Sequence, residues 1–420
     1  MWKTFPVFAA MLAAVMFVSG CAQASPAPVA QPAVADPAPV ADPANTDDQF
    51  ESLRGTTVTF YGWGGSSFTN NWLDNVVAPS FYENYGITMQ RVPMDIGDIL
   101  NKLIGERQAN VASGDIDVVW INGENFYMAL NAGLLYGPIT HKVENFERYL
   151  DPNDPDNFYD FGTYIGGMQV PYGRAQLVFA GDTTVLDSFP GSAQELLELA
   201  RANPGQITYV APPDFTGSAF VRNIIYEIVG FEALFDAPND VQAIYEVIRP
   251  ALDFLVELNP YLWQQGQTFP ASTSVMNDMF SDGMILMTFS YTPLFVAQRI
   301  LAGEFPDTTQ TFVFDNGNIG NTHYMAVPFN SPNTEGALRL INHIISPEMQ
   351  ITKYDAQNWG DFPVFDVNRL SAEQMAAFEA VDNGIGILTA GELQDRRLPE
   401  VQAYKIPIID QLWIDHVLMQ

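Results

Sequence analysis

Hydrophobic positions along the chain follow two alternating rhythms. Short apolar runs rich in β-formers occur around Val58 and Phe60, at Ile87–Val92 and at Ile116–Ile121, and each fits a buried strand. Between them lie stretches of helical period. These are Phe68–Val76, Asp95–Asn110 with Ile96, Ile99, Leu100, Leu103 and Ile104 on one face, and Phe126–Leu135. Strands alternating with helices predict a mostly parallel sheet. Further on, the pattern predicts an extended run over Gln169–Ala180, a helix over Ser192–Ala202, a strand over Ile207–Ala211 and a long helix over Ala219–Gly230. Ser192 with Glu195 three residues later has the capping-box spacing. Asp240–Trp263 is helical on both sides of Pro250, followed by a strand over Met284–Ser290, a helix over Pro293–Ala302 and a strand at Phe312–Phe314. Asp315–Asn321 (DNGNIGN) carries turn chemistry. His323–Pro328 is a second extended crossing, and helices follow over Thr334–Ile345 and Pro347–Ala356, with helix and loop beyond.

The candidate chemistry sits where strands give way to helices. The first strand breaks into Gly62-Trp63-Gly64-Gly65-Ser66 before a helix. Free backbone N–H groups and an aromatic ring at a strand's carboxyl end make a ligand wall in open α/β sheets. The same logic recurs at Glu124, at Asp214, Thr216 and Ser218, at Tyr291, at Asp315, and in the loop holding Trp359 and Asp361. Glu124 and Asp214 also suit helix N-termini, where an acid is favourable without any ligand. Asp315 also suits the turn it sits in. Aromatic faces plus carboxylates fit an organic cation, whereas the helix N-termini would accept a phosphate or carboxylate.

A chain of 420 residues is more than one core usually serves, and 47% hydrophobic with 13% aromatic residues is a globular composition. The formal net charge of −31 argues against a nucleic-acid partner and favours cations at long range. No phosphate-loop, dinucleotide or serine-elbow motif occurs, and the four histidines are scattered. No cofactor, metal site or catalytic residue is therefore expected. The alternative from another class is a secreted hydrolase working through cleft carboxylates.

The N-terminus carries an address. Lys3 precedes an apolar run from Phe5 to Val18, short for a membrane span, and Val18-Ser19-Gly20-Cys21 follows. This resembles the bacterial lipobox, which implies cleavage after residue 20 and lipidation of Cys21, the sole cysteine. Ala22–Asp48 is Ala/Pro-rich and has the composition of an extended tether.

Taken together, the lipobox, the tether, the two crossings and the run VPFNSPNTEGALRLINHIISPEMQ resemble the solute-binding proteins of bacterial ABC importers. The blocks YGWGGSSFTNNWLDNVVAP, DVVWINGENF, LLYGP, APPDFTGSAFVRNIIYEI, NPYLWQQGQTFPA, FVFDNGNIGN and NWGDFPV are similar to the YnjB-type subfamily. The resemblance implies an α/β, two-lobed type II periplasmic-binding-protein fold with two hinge crossings and a helical C-terminal region. The expected division is 1–20 signal peptide, 21–55 lipidated tether, 56–172 and 323–357 lobe one, 173–322 lobe two, and 358–420 a C-terminal loop and helical region. Hinges are expected near Tyr172–Gln176 and Ile319–Tyr324. The implied function is an extracytoplasmic, lipid-anchored, monomeric receptor that passes a small-molecule solute to an ABC permease. The solute expected from the residues is a thiamine- or polyamine-like cation, with an oxyanion or a metal as the alternative. Ferric-binding relatives use adjacent tyrosines, and this chain has no Tyr-Tyr pair.

Overall fold

The computed structural model describes residues 51–419. The expected signal segment, Cys21 and nearly all of the tether lie outside the described residues. The tether's expected last residues do have structure, for Glu51–Leu53 forms a 3-10 turn that Arg54 ties back to Glu51.

Among the described residues, ten strands build the two larger sheets: β1 Thr57–Gly62, β2 Thr88–Pro93, β3 Val118–Trp120, β4 Leu135–Tyr136, β5 Gln169–Gln176, β6 Val178–Asp182, β7 Met287–Ser290, β8 Thr309–Phe312, β9 Asn318–Pro328 and β10 Arg397–Leu398. The helices that bear on the site are α1 Gly123–Asn131, α2 Phe215–Val229, α3 Pro347–Tyr354 and α4 Ile406–Trp413. The large sheet has the order β10-β9-β3-β1-β2, with β4 and β5 also paired to β9. Because β1 runs parallel to β2 and β3, the loops after Gly62 and Trp120 emerge side by side. The small sheet, β8-β6-β7, is antiparallel throughout.

Two strands carry the chain between the sheets. β5 pairs antiparallel with β9 from Gln169↔Ala326 to Gln176↔Gly320, with a bulge between His323 and Tyr324. Leu177 alone separates β5 from β6, and a short turn returns the chain from β8 to β9. One core packs Val58, Phe60, Trp72 and Phe81 with Ile341 and Ile344, and the sheet's other face packs Tyr61, Ile99, Val119 and Phe126. The second lobe's core joins Phe179, Phe220, Phe289 and Leu255. The C-terminal region divides between them, Trp359, Val364 and Phe365 joining the first core and Val401, Ile406 and Trp413 the second.

Several boundaries differ from the sequence reading. Asn318–Asn321, expected in a turn, opens β9. Buried Asn318 accepts from Phe314 N at 3.1 Å and donates to Leu177 O at 2.8 Å, so its side chain makes the turn-like bonds while its backbone stays in the ladder. Ile207–Ala211 has no strand partner. Ile207, Tyr209 and Val210 are buried, but Ile207 O is taken by Trp263 N at 2.7 Å from a 3-10 turn. Pro250 lies within the single helix Val241–Leu258. The helices expected from Phe126 and Ala219 begin earlier, at Gly123 and Phe215, which brings Glu124, Thr216 and Ser218 inside their first turns.

Candidate functional site

The loop after β1 is shaped by close packing. Trp63 is 49% exposed, and its indole lies so close over Gly65 that a Cβ there would come within 2.2 Å of the ring. Its edge meets Trp120 at 6.4 Å between ring centroids. Ser66 caps the next helix, accepting from Thr69 N at 3.2 Å, and Asn70 Nδ2 pins the loop through Gly64 O at 2.8 Å. From the other lobe, Ser274 Oγ donates to Gly65 O at 3.3 Å, so the two walls touch here.

The loop after β3 starts α1. Gly123 has φ +61°, and a Cβ on it would sit 3.2 Å from the Phe161 ring. Both constraints favour glycine. Its N–H donates to both carboxylate oxygens of Asp160, at 3.0 and 2.9 Å, and Gln169 Nε2 adds a bond at 2.8 Å. Glu124 comes next. Its Oε1 accepts from Asn125 Nδ2 at 3.2 Å, while Oε2 is shut off from water and has no hydrogen-bond partner among the described residues.

Opposite Glu124, α2 presents Arg222, which is 1% exposed. Every nitrogen of its guanidinium is engaged. Nε and Nη2 each reach Glu400 at 3.0 Å, and Nη1 reaches Ser218 Oγ at 2.6 Å. Ser218 in turn donates to Asp410 of α4 at 2.6 Å, and Tyr291 donates to Glu400 at 2.9 Å. The Phe161 ring lies 5.8 Å from the Arg222 guanidinium carbon and 6.3 Å from the Phe215 ring. Three carboxylates, Glu124, Glu400 and Asp410, thus act on one arginine.

Burial sets the charge state of this group. It lifts the Glu124 carboxyl to about 7; its own backbone N–H and then Arg222 oppose the rise, and Glu400 and Asp410 add to it. Burial also lifts Asp160 to about 8 against the bonds from Gln169 and Gly123, and lifts Asp410 against Ser218 and Arg222. Desolvation works against the charge on Arg222, and the Glu400 carboxylate, with Asp410 adding to it, more than offsets that.

A pocket of about 330 Å3 opens beside this cluster, walled by both lobes and the second crossing. Asp156, Asp160, Phe161, Asn321, Arg397 and Glu400 are among its lining residues. A larger recess of about 460 Å3 beside Trp263 is bounded by second-lobe residues alone and holds no ionisable side chain, so the smaller pocket is the one that meets the chemistry.

The structure brings Glu124, Ser218 and Tyr291 together. It puts Asp214 and Thr216 one turn away on α2, where Asp214 Oδ1 accepts from Thr216 N at 3.0 Å and Gly217 N at 2.9 Å as the helix cap. Trp63 and Ser66 stand on the neighbouring loop. Asp315 is exposed elsewhere, against Gly191. Trp359 is 2% exposed within the first core, packed on Trp72, Trp120 and Tyr172, and Asp361 is buried against Lys353 at 3.2 Å. Asp160, Arg222, Arg397, Glu400 and Asp410 were outside the sequence-derived set. Arg222 follows Ser218 by four residues, one helical turn, which was the one local signal available. The others come from a loop and the C-terminal region. Among the described residues, no group of three or more His, Cys, Asp or Glu side chains is placed to hold a metal, and no helix is long and apolar enough to cross a membrane.

Residues 77–380 match the family model described as bacterial extracellular solute-binding protein. The chain is 34% identical over 330 residues to protein YnjB of Escherichia coli (strain K12), covering 78% of this chain and 84% of that one. Among solved structures, it is similar to the periplasmic binding protein AfuA from Actinobacillus pleuropneumoniae with fructose-6-phosphate bound, at TM-score 0.61 and 13% identity, covering 87% of this chain and 100% of that one. It is also similar to a periplasmic thiamin binding protein, at TM-score 0.59 and 20% identity, covering 87% and 96%. At such identities the structural likeness concerns the fold, and that fold is the two-lobed type II periplasmic-binding-protein fold. With the family model spanning most of the two-lobed body, the chain belongs to the bacterial extracellular solute-binding proteins.

Proposed function

We propose that this protein is a lipid-anchored receptor that captures a small organic cation between its lobes and passes it, unchanged, to an ABC permease. The observation that carries the ligand class is Glu124 Oε2, a carboxylate oxygen cut off from water and unpartnered beside three further acids. A buried carboxylate is costly unless something cationic compensates it. The fold itself does not choose the charge. AfuA was solved with a sugar phosphate, and another relative in fold is a thiamin binding protein. What supports a cation over an oxyanion is the local chemistry. Arg222 is already saturated by Glu400 and Ser218, and Arg174 is paired with Asp154. The N–H groups of Thr216 and Gly217, which would have cradled an anion, are taken by Asp214. Aromatic faces at Trp63 and Phe161 add about 0.5–2 kcal/mol each where a cation lies over them.

A thermal-shift panel tests this: thiamine, choline, putrescine and spermidine against sulfate, sugar phosphates and ferric ion. At least one organic cation should raise the melting temperature. A rise with an anion or ferric ion, and with no cation, would contradict the reading. The anchor rests on Cys21 in its lipobox setting, which no other thiol in the chain can replace. Cys21→Ala should leave the protein without fatty-acid label and release it from the membrane fraction; retained label would contradict the anchor.

A further inference from the structure

We infer that the pocket walled by Asp156, Asn321 and Arg397 is a second binding site, distinct from the cation position proposed at Glu124, and that it takes an α-amino acid with an apolar side chain. This does not rest on the cation reading, because neither Glu124 nor Trp63 lines the pocket. A volume of about 330 Å3 suits a small molecule. Two of the lining acids are fully engaged. Glu400 gives both oxygens to Arg222 and accepts from Tyr291. Asp160 gives both oxygens to Gly123 N, with Gln169 on one of them. Asp156 and Arg397 are engaged only in part. Asp156 Oδ2 accepts from Thr322 Oγ1 at 2.8 Å and faces Arg397 Nη2 at 3.2 Å, while Oδ1 accepts no hydrogen bond among the described residues. Arg397 Nη2 donates to Asn321 O at 3.1 Å, and Nε and Nη1 donate to no group among the described residues. The guanidinium is seated on bare backbone, for a Cβ on Gly320 would come within 2.2 Å of Nε.

An opposed pair with an open oxygen and open nitrogens complements a molecule that carries both charges. A simple amine at Asp156 would desolvate beside the Arg397 guanidinium, and a simple carboxylate at Arg397 would desolvate beside Asp156. A zwitterion removes both penalties. Its ammonium donates to Asp156 Oδ1 and its carboxylate accepts from Arg397, each through a charge-assisted bond. Because the two side chains stand 3.2 Å apart, the ligand's charges must be neighbours too. An α-amino acid meets that condition and a long ω-amino acid does not. Asn321 also lines the pocket. It is 3% exposed, and its Nδ2 has no acceptor among the described residues, so the second carboxylate oxygen would satisfy it. Phe161, Phe231 and Phe235 supply apolar wall for the side chain.

Titration calorimetry on the full chain at about pH 7 tests this with L-leucine and four matched probes. 3-Methylbutylamine and 4-methylpentanoate keep the branched chain with one charge each, 6-aminohexanoate separates the charges, and glycine lacks the side chain. Leucine should bind about tenfold or more tighter than each of the four. Asp156→Asn and Arg397→Gln should each weaken leucine by about tenfold or more. The probe comparison uses the parent protein, so it stands even where a variant fails to fold. The amine or the carboxylate binding as tightly as leucine would overturn the zwitterion, and 6-aminohexanoate doing so would overturn the requirement for neighbouring charges. Glycine matching leucine would overturn the apolar wall. Folded variants that keep the leucine affinity would put leucine elsewhere and overturn the site, as would a parent that binds no leucine. Each of these results leaves the cation reading as it was.

Discussion

Lys353 and Asp361 meet at 3.2 Å with both side chains fully buried. Lys353 Nζ also donates to Tyr172 O and Phe362 O, each at 2.7 Å. Burial pushes the lysine down to about 8 and the aspartate up to about 6, each opposed by its partner. Such a pair adds little over an apolar replacement, but breaking it strands one charge. Lys353→Met should therefore cost about 3–5 kcal/mol, and adding Asp361→Asn should restore part of that. Urea unfolding of the single and double variants checks it; additive losses would show that the two side chains are not coupled. The same lysine lowers neighbouring His323: burial first, and then the Lys353 charge, bring that imidazole to about 3. That keeps the ring neutral near pH 7.

At the level of elements, legibility followed the range of the interactions. The strand-loop-helix units at Trp63, Glu124 and Asp214 were visible in the sequence because apolar periodicity and glycine-rich breaks are local signals. The helix Thr334–Ile344 was equally plain. What a side chain does at the end of such a unit was not local. Asp214 was open between cap and ligand contact, and it caps α2. Trp359 sits in a Gly/Asp/Asn loop that looks exposed, yet three partners far away in sequence, Trp72, Trp120 and Tyr172, enclose it. Glu400 is the clearest case. It lies in a stretch with no periodic pattern and becomes part of the site only because β10 pairs with β9, which leaves it on Arg222. The crossings were legible as extended runs, while the length of β9 was hidden by asparagines that suit turns and here bond across to the neighbouring crossing.

For the whole molecule, the formal charge of −31 gives a field that draws cations toward the surface, and the proposed cation reading rests locally on Glu124 Oε2, which has no hydrogen-bond partner among the described residues. The walls that hold it belong to different lobes joined by β5 and β9, so a ligand gripping both would favour the closed arrangement over an open one. The pH dependence of binding follows from Glu124. Its folded value of about 7 lies above the ordinary 4.5. In the ligand-free protein its ionisation therefore costs stability, a cost absent below about pH 4.5, growing as pH rises and complete above about pH 7. A bound cation relieves the cost by pairing with the ionised form, so affinity should climb as pH rises through about 7 and level off above about 8. The decisive measurement is the affinity of the strongest-binding cation from pH 5 to 9, in the parent and in Glu124→Gln. The account predicts a rise through about 7 in the parent, and a variant that lacks that rise, keeping only the change that Asp160 brings near 8, and lies about tenfold to a hundredfold weaker at high pH, the loss of one charge-assisted hydrogen bond. A parent profile without pH dependence, or a variant that tracks the parent, would contradict it.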